Sequence, residues 1–247
     1  MPTVDLNALQ TLTLLGLLLG WAAALFGGYA TGRFNEAETH RIPRPLRITS
    51  SLLLVLAAWA WWASAPPAAL RTLALFVALG MTAGFIGDLF MARYIVRGDG
   101  RVLGGLMAFG IGHVLYIAGM LTYGAEQNYD SPARWLALLV WLVLGAVLWF
   151  RLIYRTAAQP GTLHRLALPY ALLLAGTVGV ASGLTFHAAG FGLLALGAAL
   201  FLASDLLLAL EIFNGLHFRG IGDAVWLMYG PGQMLIVYAA IFPSLLG

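Results

Sequence analysis

RTLALFVALGMTAGFIGDLFMAR, Arg71 to Arg93, is the stretch whose reading decides the fold. Between its two arginines, the 21 residues from Thr72 to Ala92 hold one charge, Asp88. As a helix rising about 1.5 Å per residue they reach roughly 32 Å, the thickness of bilayer hydrocarbon. The stretch reads as a transmembrane helix. A carboxylate within it costs about 2.5–3.5 kcal/mol on insertion scales, so it is expected to face a bundle interior or a watery cavity. Gly80, Gly84 and Asp88 recur at i, i+4 and make a stripe where another helix can come close.

Runs of the same kind recur along the whole chain. Of its 247 residues 61% are hydrophobic and 9% charged, with mean hydropathy +0.89, which excludes an ordinary soluble domain. Eight spans are expected, over 9–31, 48–64, 72–92, 102–123, 135–153, 166–186, 188–211 and 224–245. The expected fold class is all-α: a polytopic helical bundle forming a single transmembrane domain over 1–247, with only short loops between spans. The first helix lacks a basic leader and a small-residue cleavage site, and reads as a retained span. Cysteine is absent, which excludes disulfides, thiolate nucleophiles and Cys-based metal sites.

All thirteen basic residues are arginine. Arg33, Arg41, Arg44 and Arg47 fall between spans one and two, and Arg93, Arg97 and Arg101 between three and four. Arg151, Arg155 and Arg165 fall between five and six, and Arg219 before the last span. Arg71 and Arg134 alone fall at the other side. The positive-inside rule then places both termini outside the cytoplasm, as in a bacterial inner-membrane protein. The basic pI near 9.4 reads as anchoring to anionic lipid, with no nucleic acid as partner.

Two segments resemble each other. GDLFMA from Gly87 is followed by GIGHVL from Gly110, and SDLLLA from Ser204 is followed by GPGQML from Gly230. Each is a span ending in small-Asp-Leu, a short loop, then a span with G-x-G and a polar residue. Four spans separate the copies, so both run the same way through the bilayer. Two parallel four-helix repeats are expected, with a site between the halves.

The rare polar letters sit at matching places: Asp88 with Asp205, His113 with Gln233, and Tyr116 and Tyr229 near them. Gly105, Phe109, His113 and Tyr116 share one helix face. Asp88 precedes Arg93 by five residues and Asp205 precedes Asn214 by nine, which sets them roughly 7–14 Å below the arginine side. The two acids are expected to meet in a wet hollow there and share a proton. A lipid head group would lie among Arg44, Arg93 and Arg101, its chain among apolar walls. Glu211 and Asp223 lie near the interface and read as solvated. No three-His set for a membrane zinc hydrolase is present, and no metal is expected. Intramembrane acids also suit a proton-coupled transporter of a small solute or lipid, or a scaffold whose acids only lock helices.

The combined pattern resembles the lysoplasmalogenase family, also called YhhN-like membrane proteins. The residues that carry it are Gly87-Asp88-Leu89, then Gly105, Phe109, His113 and Tyr116 in GGLMAFGIGHVLY, Ser204-Asp205 in FLASDLLLA, and Tyr229 with Gln233 in YGPGQMLIVY. Arg44-Pro45 stands where the family commonly has a Lys before Pro. The resemblance implies an integral membrane hydrolase that needs no cofactor. Its substrate would be a lysophospholipid among the membrane lipids. Cleavage of the vinyl ether would release a fatty aldehyde and glycerophosphoethanolamine or glycerophosphocholine. The chemistry of that bond fits. It is cut by protonating the β-carbon, which makes an oxocarbenium ion that water then traps. That needs one carboxyl holding its proton near neutral pH and one that has lost it, the division of labour seen in glycosidases. Asp88 and Asp205 are the expected pair, His113 and Gln233 would orient them or hold the water, and Tyr116 and Tyr229 would line the wall.

Overall fold

The computed structural model describes residues 4–65, 68–98, 100–157 and 159–242. Eight helices follow one another: α1 (Ala8–Thr31), α2 (Arg44–Ser64), α3 (Ala68–Met91), α4 (Gly100–Glu126), α5 (Pro132–Tyr154), α6 (Thr162–Thr185), α7 (Phe191–Asn214) and α8 (Ile221–Tyr238). No strand occurs among the described residues. The first seven helices are long and apolar enough to cross a membrane. The eighth, expected to span 224–245, is shorter and carries Asp223, Pro231 and Gln233. Residues 243–245 of that expectation lie outside the described residues.

Most helices start a few residues ahead of the apolar run, because a first turn can be polar when capped. Pro45 opens α2 and Pro132 opens α5, where a missing N–H costs nothing. Ser131 caps α5, and Asn7 and Gln10 form a reciprocal capping box on α1 with both bonds at 2.9 Å. A turn of α1 (Ala23–Gly27), followed by a final α turn (Gly28–Thr31), and the last turn of α5 (Phe150–Tyr154) widen into π geometry. Gly215 (φ 67) closes α7 and Gly220 (φ 80) precedes α8; both occupy the left-handed region.

Six helices close a ring: α2 packs on α3, α3 on α4, α4 on α6, α6 on α7, α7 on α8, and α8 back on α2. α1 lies outside against α2, and α5 outside against α6. α5 turns Leu136, Leu139, Val140 and Val143 outward, more than half exposed, as a lipid-facing helix does.

Two crossings within the ring draw helices to near backbone contact, as does the crossing of α5 on α6 outside it. On α3 and α4, a Cβ at Gly112 would lie 2.9 Å from the Gly80 carbonyl, and one at Gly80 would lie 3.0 Å from the Gly112 carbonyl. On α7 and α8, the same holds for Gly197 and Gly232, at 2.6 and 2.8 Å. Small residues permit such approach between membrane helices, where dispersion replaces the hydrophobic drive. Each glycine of the first helix stands two turns before an aspartate, Gly80 before Asp88 and Gly197 before Asp205. The crossings therefore fix where the acids sit.

Candidate active site

A cavity of about 970 Å³ opens at the end of the bundle where the arginine-bearing loops lie. Its wall is built from the 33–43 loop, the first turns of α2, the last turns of α3 and α7, and the first turns of α4 and α8. Asp88 and Asp205 both line it, although 117 residues separate them. No hydrogen bond joins the two carboxyls among the described residues, so the expected direct sharing of a proton is absent. Each acid sits at the end of a different helix pair and has its own donors.

Asp88 is 4% exposed. Its Oδ2 accepts from the Tyr229 hydroxyl at 2.9 Å and from the Ser51 hydroxyl by a shorter contact. Two hydroxyls from α2 and α8 thus converge on one oxygen of a carboxyl on α3. Gln233 positions Tyr229: its Nε2 donates to the Tyr229 hydroxyl at 3.4 Å, and its Oε1 accepts from the Tyr116 hydroxyl at 3.0 Å. Gly84 admits this chain, since a Cβ there would meet Gln233 Nε2 at 3.0 Å. The polar relay Tyr116–Gln233–Tyr229–Asp88 therefore crosses from α4 through α8 to α3. Replacing Tyr229 by Phe removes one hydrogen bond to a carboxylate, a loss of about 1.5–3 kcal/mol. An activity loss on the order of ten- to a hundredfold is expected in a steady-state assay, with the helices intact by circular dichroism.

Asp205 is half-buried, and its Oδ2 accepts from the Tyr170 hydroxyl of α6. Ser204 donates mainly to the Phe201 carbonyl at 2.7 Å and only distantly to Asp205, at 3.4 Å, so it serves the helix backbone. Asp205 also lines a second, apolar pocket of about 90 Å³, walled by side chains such as Leu106, Leu148, Ala171 and Leu202. Met91, Val102, Phe109, Asp205, Leu208 and Ile212 line both spaces.

His113 does not orient either acid. It is fully buried, and its Nδ1 lies 2.8 Å from Thr177 Oγ1 on α6. Thr177 donates its own hydrogen to the Leu173 carbonyl at 2.9 Å, so it accepts from His113, which leaves Nε2 unprotonated. The ring packs on Phe201 with centroids 4.6 Å apart. His113 thus fastens α4 to α6 and α7 behind the cavity wall.

Arg44, Arg93 and Arg101 all line the cavity mouth, together with Arg33, Arg41 and Arg47. Ser51, Tyr170, Thr177 and Arg47 were not singled out in the sequence. The one sequence signal for the first two is their interval: Ser51 precedes its acid by 37 residues and Tyr170 precedes its acid by 35.

The 33–43 loop is held down by Asp223, which is 2% exposed rather than solvated as expected. Its oxygens accept from Arg41 N at 2.6 Å and Ile42 N at 3.0 Å, while Gly222 N donates to the Thr39 carbonyl at 3.0 Å. A loop folded over the first turn of α8 converts an end-of-helix acid into a buried one. Glu211 lies half-buried on the cavity wall. In the same loop His40 packs on Gly222, where any side chain would collide with its ring, and its Nε2 accepts from Arg47 Nη1 at 3.0 Å. Burial, then the charge of Arg47, holds the His40 pKa down at about 4; Arg44 adds to this and Asp223 opposes it.

Unfolded His titrates near 6.5, so as pH falls the undocked chain takes up its proton first. The contribution of His40 is whole above about pH 6.5 and is lost as pH drops toward 4. Wild-type protein is expected to lose more thermal stability between pH 7.5 and 4.5 than His40→Gln protein, measured by melting in detergent. Equal losses would remove His40 from the account.

No cluster of three or more His, Asp or Glu able to hold a metal occurs among the described residues. No curated protein and no solved structure matches the chain. The two cavity-lining acids, their hydroxyl donors and the glycine crossings that set them all fall between residues 45 and 240. That is the segment matched by the family model described as the YhhN family, and the chain belongs to this family, which includes lysoplasmalogenases.

Proposed function

We propose that the protein is a membrane hydrolase of single-chain ether phospholipids, cutting the vinyl ether of lysoplasmalogens by carboxylic acid and carboxylate catalysis. The observation that carries this reading is the shared cavity. Two carboxyls on different helices line one arginine-rimmed space, and one of them, Asp205, also lines an apolar pocket beside it. A lysophospholipid has the same sequence of parts: anionic phosphodiester, glycerol, ether linkage, chain. Arg44, Arg93 and Arg101 would receive the phosphodiester, and Asp88 and Asp205 would flank the ether.

The family's lysoplasmalogenases support the reaction class. The bundle is proposed to consist of eight spans in two parallel four-helix repeats, with α8 as the eighth. Support comes from the paired glycine crossings, the π turns in the C-terminal portions of α1 and α5, and a ring in which α2 meets α8 as α6 meets α4. The arginine distribution supports an orientation with both termini outside, as in a bacterial inner membrane.

A transporter built on the same acids would need a polar path to the opposite end. There Tyr123 packs on Phe191 at 5.4 Å, and buried Arg134 donates to the Tyr129 carbonyl, which favours a blind pocket. Purified protein in nanodiscs, given 1-alkenyl lysophosphatidylethanolamine or lysophosphatidylcholine, is expected to release free fatty aldehyde. Vesicle flux of a solute without aldehyde would reverse the choice.

A further inference from the structure

The apolar pocket takes three of its four main walls from the C-terminal half of the bundle: it lies among α4, α5, α6 and α7, and Asp205 is part of its lining. The two acids differ in what they face. Asp88 lines the polar cavity and takes two hydroxyl donors on one oxygen, while Asp205 lines both the polar cavity and the apolar pocket.

We infer that the aliphatic chain of the substrate enters the pocket of the C-terminal half, so that Asp205 is the proton donor to the chain's second carbon and Asp88 is the carboxylate that activates water. This rests on the hydrolase reading above. In R–CH=CH–O–R′ the carbon to be protonated is on the chain side and the oxygen on the glycerol side. With the head group at the arginine mouth and the chain beyond Asp205, that carbon passes Asp205 and the ether carbon faces the polar cavity.

The protons then balance without an outside acid or base. Asp205 gives its proton to the second chain carbon, and the first becomes an oxocarbenium carbon. Water adds to it as Asp88 takes the water's proton, which gives a neutral hemiacetal. Asp205 recovers a proton from the hemiacetal hydroxyl as the C–O bond to glycerol breaks, and Asp88 returns its proton to the departing oxygen. One water is consumed, and one aldehyde and one alcohol leave. Both side chains end as they began. The pocket, of about 90 Å³, would take the first carbons of the chain and leave the remainder to the bilayer.

The assignment is tested by chemical rescue and by labelling. Azide attacks an oxocarbenium carbon without needing deprotonation, but it supplies no proton to carbon. Sodium azide is expected to restore consumption of the vinyl ether in Asp88→Asn protein by tenfold or more, forming the azido ether, and to leave Asp205→Asn protein inactive. Rescue of Asp205→Asn, or of neither variant, overturns the roles. Labelling uses wild-type protein and does not depend on turnover. A saturated ether lysophosphatidylcholine with a diazirine at the third chain carbon is expected to mark α7 near Asp205 and Leu202, or α6 near Ala171. Adducts on α1, on α8 near Gly230, or on Asp88 overturn the chain's place. Wild-type protein labelled at α6 or α7 that releases no aldehyde would refute hydrolysis and, with it, the roles of the acids, while the chain's place would stand.

Discussion

Asp88→Asn protein is expected to insert and fold as wild type does, yet to release aldehyde about a thousandfold more slowly. The amide is nearly the shape of the acid, and its carbonyl oxygen still accepts from Ser51 and Tyr229. What it lacks is a charge and the ability to take a proton. General acid–base groups contribute roughly 10²–10⁴ in rate, or about 3–5 kcal/mol of barrier at 1.36 kcal/mol per decade. Asp205→Asn should show a loss of the same order, and the double variant little more, because groups acting as a unit are not additive. The measurement is single-turnover aldehyde release alongside a melting curve. Either variant turning over within tenfold of wild type would end the carboxyl mechanism.

Gly112→Leu protein should not accumulate as a folded species. Its Cβ would stand 2.9 Å from the Gly80 carbonyl, a backbone atom of a helix that is itself packed on α2 and α8. Overpacking a core costs about 1–3 kcal/mol when side chains can shift, and more when the obstacle is backbone. The whole stability of a domain is only about 5–15 kcal/mol. Gly232→Leu should fail in the same way against the Gly197 carbonyl, at 2.8 Å. In contrast, Gly16→Leu on α1, where nothing lies within 4 Å of the added carbon, should leave expression and melting unchanged. Fluorescence-detected size exclusion in mild detergent distinguishes the three. A monodisperse Gly112→Leu peak with a wild-type melting temperature would contradict the crossing.

The bundle was legible in the sequence because lipid imposes a length and a composition, and both can be counted along the chain. Asp88 and Asp205 stood out for the same reason, as acids are scarce where burial is costly. Distance along the helix axis could be read too, which put them near the arginine side. Rotation about the axis could not. His113 shares a face with Phe109 and Tyr116, but whether that face meets α3 or α6 depends on how the helices cross, and its ring reaches Thr177. Ser51 was silent because a serine hydroxyl in an apolar helix costs little when it can bond its own backbone, and Tyr170 because a tyrosine is mostly apolar ring, so nothing marks the ones that reach an acid. Asp223 misled for a third reason. Its position at a helix start implies contact with water until a separate loop folds over it. The eighth helix was expected to carry Tyr229 and Gln233 inward, and these are the residues that build the relay.

Tyr229 lies 141 residues after the acid it serves. At ribosomal speeds of about 5–20 residues per second, Asp88 waits on the order of ten seconds for that partner. During that interval the nascent chain already sits among membrane lipids, and the hydrogen bonding of its first acid is incomplete. The order of translation therefore sets when the site can form: Asp88 gains its Tyr229 donor only when distant stretches of one message have both been read and have found each other in the bilayer.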